Sequence, residues 1–175
     1  RCLMELRRSA EAAKVAERIL KNSDANDDLK AEAGLAVAQG AVDNNDLDAA
    51  YTRYKAIATA SKNAYGAEAA YNMAYVRYLQ KSYKDAEKEV FDLVKKFPSY
   101  DHWKAKGFIL LGDVYVGMND SFQAKTTLQS VIDHCAEPDL VSQASARLAA
   151  INAVKTAPTD SVPAGDNTVP MPGDQ

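Results

Sequence analysis

The stretch AEAAYNMAYVRYLQKSYKDAEKEVFDLVKKFP, residues 67–98, decides the fold. It reads as a helix with a small residue, Ala74, near its middle, then a turn, then a second helix centred on Ala86 and closed by Pro98. Val90 and Leu93 follow Ala86 at the spacing of a buried helix face. The same pattern recurs on both sides. Ala38, Ala74 and Gly112 sit in the first helix of three hairpins, and Ala50, Ala86 and Ala124 sit in the second, the latter spaced by 36 and then 38 residues. Side chains that small let two helix axes approach closely. A period in this range signals helical hairpins that bury a continuous core only by stacking on one another.

Helical periodicity dominates the rest of the chain and no strand-like alternation persists. It predicts eight helices, over residues 2–21, 28–44, 47–61, 64–81, 83–97, 101–117, 121–135 and 139–154. Ser82 with Asp85, and Asp120 with Gln123, resemble capping boxes; Asn45 with Asp48, and the pair Asp27 and Asp28, are weaker versions. Pro98 and Pro138 follow helix ends, where proline cannot extend the helix.

The hairpin pattern resembles the tetratricopeptide repeat family over roughly residues 28–136, carried by three copies in register and most clearly by KSYKDAEKEVFDLVKKFP. The resemblance implies an all-α, right-handed α–α superhelix of such hairpins with a C-terminal capping helix. It places a partial repeat at 1–21, where Ala12, Ala16 and Ile19 hold the corresponding places, repeats at about 31–62, 67–98 and 105–136, and the cap at 139–154. The repeat domain then covers 1–156. Two departures stand out. Phe122 lies two residues before its alanine, whereas Leu47 and Tyr83 lie three before theirs, so the turn at 118–121 is expected to be shifted by one residue. Lys62 stands where the first repeat should close with proline. Residues 97–133 look most like C-terminal repeat regions of bacterial envelope proteins, which implies a periplasmic or outer-membrane-associated setting.

Residues 157–175 differ in kind. They hold four prolines, two glycines and three aspartates, and too few large apolar side chains to offset the entropy of ordering, so a disordered tail is expected. The three tail aspartates account for the net charge of −3. The helical body is neutral and lacks the basic footprint of a nucleic-acid binder. A mean hydropathy of −0.35 and the absence of any run near the ~18 apolar residues of a spanning helix exclude membrane insertion of this segment. The chain begins at Arg1 in what reads as mid-repeat, so a piece of a longer protein, or a mature or trimmed form, is expected. Cys2 and Cys135 would lie near opposite ends of the stack and are not expected to pair.

Candidate functional residues fall on the first helices of the hairpins. Tyr71, Tyr75 and Tyr78 share one helix face, with Tyr65 nearby, and the resemblance puts that face on a concave groove. Tyrosine offers a large area with a polar tip, suited to peptide docking. The polar candidates on the same groove are Glu32, Gln39, Glu68, Asn72, Lys106 and Asp113. Chaperone-binding members of the family clamp a terminal carboxylate with five basic and amide residues. Here Asn72 and Lys106 match two of those places while Leu35, Gln39 and Leu110 fill the others, so that activity is not expected. Trp103 is expected to fill the gap between hairpins.

Chemistry is sparse. Asp133, His134 and Cys135 are metal-ligand types, but consecutive residues on a helix diverge by about 100° and cannot converge on one ion. With His102 as the remaining histidine, no metal or other cofactor is expected. No phosphate loop, nucleophile elbow or cysteine–histidine pairing at a known catalytic spacing is present. The expected function is therefore non-catalytic: a scaffold or adaptor for a protein or peptide ligand. The alternative is a helical recognition domain of a larger, cell-wall-acting enzyme whose catalytic part lies upstream. Pentatricopeptide-like RNA binding is disfavoured by the neutral body.

Overall fold

The computed structural model describes residues 9–156. The expected tail, Cys2 and the start of the first expected helix lie outside the described residues. The elements are α1 (Ser9–Leu20), α2 (Asp27–Asp43), α3 (Leu47–Ala60), α4 (Ala64–Leu79), α5 (Tyr83–Lys96), α6 (Asp101–Gly117), α7 (Ser121–His134) and α8 (Pro138–Thr156). Among the described residues there is no strand. Each helix packs antiparallel on its sequence neighbours, and the chain forms a right-handed superhelix of tetratricopeptide-like hairpins.

The small pivots explain the stacking. Ala38, Ala50, Ala74, Ala86 and Ala124 are all fully buried. Gly112, at the place of Ala38 and Ala74, is packed more tightly still: a Cβ there would come within 2.8 Å of Leu128. Around these pivots the core runs as four successive clusters along the stack. Tyr54, Leu93 and Phe97 anchor one, Val90, Leu111 and Val114 the next. In the last, Leu140 and Ala144 of α8 close over Ile109, Leu128 and Val131. The opposite side of α8 carries exposed Ser142, Ser145, Ala146 and Ala149, which ends the stack in small side chains with no large apolar group among them.

The three turns inside the full hairpins share one geometry. Asn45, Lys81 and Asn119 take φ of 60°, 58° and 61°. The residue after each, Asp46, Ser82 or Asp120, donates its backbone N–H five residues back, to the carbonyl of Ala41, Arg77 or Tyr115. That is the six-to-one bond of a Schellman closure, made with a left-handed residue at its corner. The one-residue shift expected at 118–121 does not occur, because Ala124 follows Asn119 at the interval that separates Ala50 from Asn45 and Ala86 from Lys81. Ser121 instead takes the place of Leu47 and Tyr83, and Phe122 points outward with 77% exposure. The longer second spacing comes from one extra residue between hairpins and one in the first helix: residues 97–100 join α5 to α6 where 61–63 join α3 to α4, and α6 has 17 residues against 16 in α4.

The caps move accordingly. Because a left-handed residue is inserted first, the cap of α3 is Asp46, not Asn45, and it accepts from the Ala49 N–H at 3.2 Å. Asn26 caps α2 by accepting from Leu29 N–H at 2.8 Å. Asp120 accepts from Gln123 N–H at 3.0 Å as expected, whereas the Ser82 side chain makes no capping bond. Pro138 does follow α7, but it also opens α8, where its missing N–H leaves nothing unsatisfied.

Candidate functional site

The first helices of successive hairpins touch: α2 packs on α4, α4 on α6, and α6 on α8. The second helices α3, α5 and α7 make no comparable contact with one another. One set is drawn together and the other splayed, so α2, α4, α6 and α8 line the inner, concave face. Every candidate groove residue lies on these inner helices.

The structure sorts the candidates into two depressions. The first, about 150 Å³, lies between α2 and α4 and is lined by Gln39, Glu68 and Asn72 together with Glu32, Tyr54 and Tyr65. Leu35 and Ala36 complete it. The second, about 70 Å³, lies between α4, α6 and α8 and holds Tyr71, Tyr75, Tyr78, Lys106 and Asp113, with Arg147 beside them.

The tyrosines are half-buried, each partly engaged in packing. Tyr71 sits at the seam between hairpins, its ring 5.5 Å from that of Trp103. Trp103 fills that seam as its size suggested. Tyr75 stacks on Tyr78 at 6.5 Å, and Tyr78 reaches Tyr83 on α5 at 6.1 Å. Burial pushes the Tyr71 phenol up to about 12, so it stays a neutral donor at ordinary pH. Burial, then Asp113, also raises that of Tyr78.

Lys106 does not project freely into the groove. Its ammonium lies 4.8 Å from the Tyr71 ring and 4.5 Å from the Trp103 ring. Such contacts contribute about 0.5–2 kcal/mol each, more as water is excluded. Burial lowers the Lys106 pKa, partly offset by Glu68 and Glu137. Asp113 is engaged too: Arg147 Nε donates to both of its carboxylate oxygens, at 3.1 and 2.9 Å. Leu35 and Leu110 are buried at two of the carboxylate-clamp places. One ring-bound lysine beside neutralised and acidic neighbours cannot reproduce a clamp of several free cations.

Sequence reading missed Arg147, which lies on the capping helix outside the repeat pattern. It also missed the outer seam. There Tyr51 of α3 donates its hydroxyl to Glu89 of α5 at 2.6 Å, under the Arg77 guanidinium at 3.9 Å from its ring. Tyr115 of α6 likewise donates to Glu87 of α5 at 2.9 Å. No periodic signal marks these pairs, because each joins different repeat positions.

The suspected metal types go separate ways. Asp133 accepts from Gln129 at 2.8 Å, the His134 ring meets the Ser130 carbonyl at 2.9 Å, and His102 pairs with Glu137 at 2.7 Å. Among the described residues no three histidine, cysteine or acidic side chains gather around a point that could hold an ion. Cys135 is a free thiol.

No family model matches the chain, and no curated protein matches it. Among solved structures it is similar to the crystal structure of MamA, with a TM-score of 0.58 and 16% sequence identity over 87% of this chain and 92% of that one. At that identity the likeness shows the fold alone: a tetratricopeptide-like helical repeat array.

Proposed function

We propose that the inner face formed by α2, α4, α6 and α8 binds a protein or peptide ligand, and that the chain acts as a non-catalytic scaffold or adaptor. One observation carries this reading: aromatic and polar side chains from three inner helices gather in one depression, Tyr71, Tyr75 and Tyr78 of α4, Lys106 and Asp113 of α6, and Arg147 of α8. Half-buried tyrosines on a rigid surface contribute contact area at low entropic cost on binding. Stacked hairpins also present such a surface without rearrangement. We further place this work in a bacterial cell-envelope assembly, on the resemblance of residues 97–133 to envelope repeat proteins. Among the described residues no helix is long and apolar enough to cross a membrane.

The test is site-specific photocrosslinking of the full-length protein in cells that express it natively. A photoreactive residue at Asn72 or Tyr75, on the inner face, is compared with one at the exposed outer residue Lys88. The reading expects a discrete protein adduct from the inner positions and none from Lys88. Adducts from Lys88 alone would refute it. An intramolecular cross-link from the inner positions would mean that the groove docks on another part of the same polypeptide, as expected of a recognition domain in a larger enzyme.

A further inference from the structure

We propose that the chain stacks head to tail on further copies of itself, with α8 of one copy seated in the open groove between α1 and α2 of the next. The groove, about 240 Å³, is lined by Val15, Ala16 and Ile19 of α1 and by Leu29, Ala33 and Ala36 of α2. Val15 and Leu29 stand 49% and 42% exposed there. Among the described residues Glu32 is the single charged one in the lining, so the groove is apolar.

The repeat register says what this groove is built to receive. α1 is a second helix of the pattern: Ala12, Ala16 and Ile19 hold the places of Ala50, Tyr54 and Ile57 in α3, and of Ala124, Leu128 and Val131 in α7. In those hairpins the first helix covers these side chains. Ile57 reaches within 3.0 Å of where a Cβ of Gly34 would stand, and Leu128 within 2.8 Å of that of Gly112. Among the described residues no first helix lies over Ala16 and Ile19, and the groove has the shape of a seat for one.

α8 is the matching part. Ala144 lies 37 residues after Gly107. Gly107 rests on Val90 and Leu93 of α5, and Ala144 clusters with Leu128 and Val131 of α7, which hold the same repeat places. α8 is therefore a first helix in register with α6. The same step carries the pivot Gly112 onto Ala149, and Ala105, Phe108 and Ile109 onto Ser142, Ser145 and Ala146. In α6 these residues pack against α7. In α8 all four counterparts are exposed. α1 thus presents the side that takes a first helix, and α8 the side that takes a second.

The small residues of α8 let its axis come close, and Val15, Ile19 and Leu29 supply apolar surface to be covered. The two surfaces differ, so the contact is heterologous. Each assembly keeps one free side of each kind, and growth stays open where a two-fold dimer would close. Each added copy also lengthens the inner face.

Light scattering on the full chain, from about 10 μM to about 1 mM, should give a mass that rises continuously above the 19.0 kDa of one chain. Val15→Glu spoils the groove and Ala149→Glu spoils the free side of α8. Both positions are exposed, so helicity by circular dichroism should be unchanged. Each variant alone should stay at 19.0 kDa, because each keeps one working side. Mixed in equal amounts, the two variants should form a one-to-one pair and nothing larger. An unsubstituted chain that remains at 19.0 kDa at about 1 mM would overturn the proposal. So would a mass that levels off at a dimer, or variants that fail to pair on mixing. A monomer in which a Val15→Cys thiol resists alkylation would show the groove covered by residues of the same chain outside 9–156, and would overturn it as well.

Discussion

Arg147 on the capping helix holds Asp113 on the last hairpin through one nitrogen, Nε, shared between both carboxylate oxygens at 3.1 and 2.9 Å. This bond joins α8 to the inner face, so the cap that closes the core also shapes the second depression. The Arg147 side chain is 38% exposed and that of Asp113 28%, so solvent screens the pair. A double-mutant cycle of Arg147→Ala and Asp113→Asn should give a coupling energy of about 1 kcal/mol in urea unfolding. Strict additivity would mean that α8 is held by its apolar packing, Leu140, Ala144, Leu148 and Ile151, without help from the pair.

Glycines separate into two kinds. A Cβ at Gly66 would lie 2.0 Å from the Ser61 carbonyl oxygen, which is backbone and cannot move without displacing the connection into α4. Gly66→Ala should destabilise the fold by at least about 2 kcal/mol. A Cβ at Gly34 would instead meet the tip of the Ile57 side chain at 3.0 Å, which can swing aside. There the gain in helix propensity offsets the crowding, and Gly34→Ala should change stability by less than about 0.5 kcal/mol. Thermal denaturation followed by circular dichroism measures both.

Lys81 holds φ 58° at the corner where the other two hairpins use asparagine. A long side chain in the left-handed region is strained, while asparagine and glycine are not. Lys81→Asn should therefore stabilise by about 0.5 kcal/mol and Lys81→Gly by up to about 1 kcal/mol. Lys84→Asn, inside α5, should give no such gain, since asparagine is the poorer helix former. A lower melting temperature for both Lys81 variants would contradict the turn geometry.

Alkaline pH should loosen the stack. Tyr71 and Tyr115 are both pushed up to about 12, Tyr71 by burial and Tyr115 by burial and then its bond to Glu87. A folded pKa above the unfolded one means the folded state keeps the proton longer. The stability from these phenols is thus fully present below the ordinary value of 10.0 and is lost as pH rises from there through about 12. Urea midpoints should fall across that window, and tyrosinate absorbance should appear with unfolding. Tyr115→Phe should cost about 1 kcal/mol at neutral pH through the lost Glu87 bond, and should flatten the alkaline fall.

Most of the helical framework was legible because it rests on local signals. Small pivots at a fixed period and apolar neighbours one turn away mark a buried helix face wherever they occur. The turns were less legible. A left-handed corner is a backbone state that Asn45 and Asn119 hint at and Lys81 conceals, which is why the cap of α3 reads one residue early and Ser82 reads as a cap that forms no bond. That the candidate residues share the inner helices could be read from helix face, but their division into two depressions could not. That division depends on Lys106 folding onto Tyr71 and Trp103, and on Arg147 arriving from α8, and both are settled by three-dimensional neighbours with no sequence periodicity.

The three hairpin turns are superposable in their bonding, while the joints between hairpins differ in length. The hairpin therefore behaves as a fixed casting and the joint as a shim. Inserting or deleting a residue at 98–100, beyond the buried Phe97, would tilt everything beyond it without unpairing a single hairpin, and would widen or close the inner face as a hinge plate sets the angle of a door. A family of such chains could track ligands of different girth by editing a few connecting residues and leaving every buried contact within the hairpins as it is.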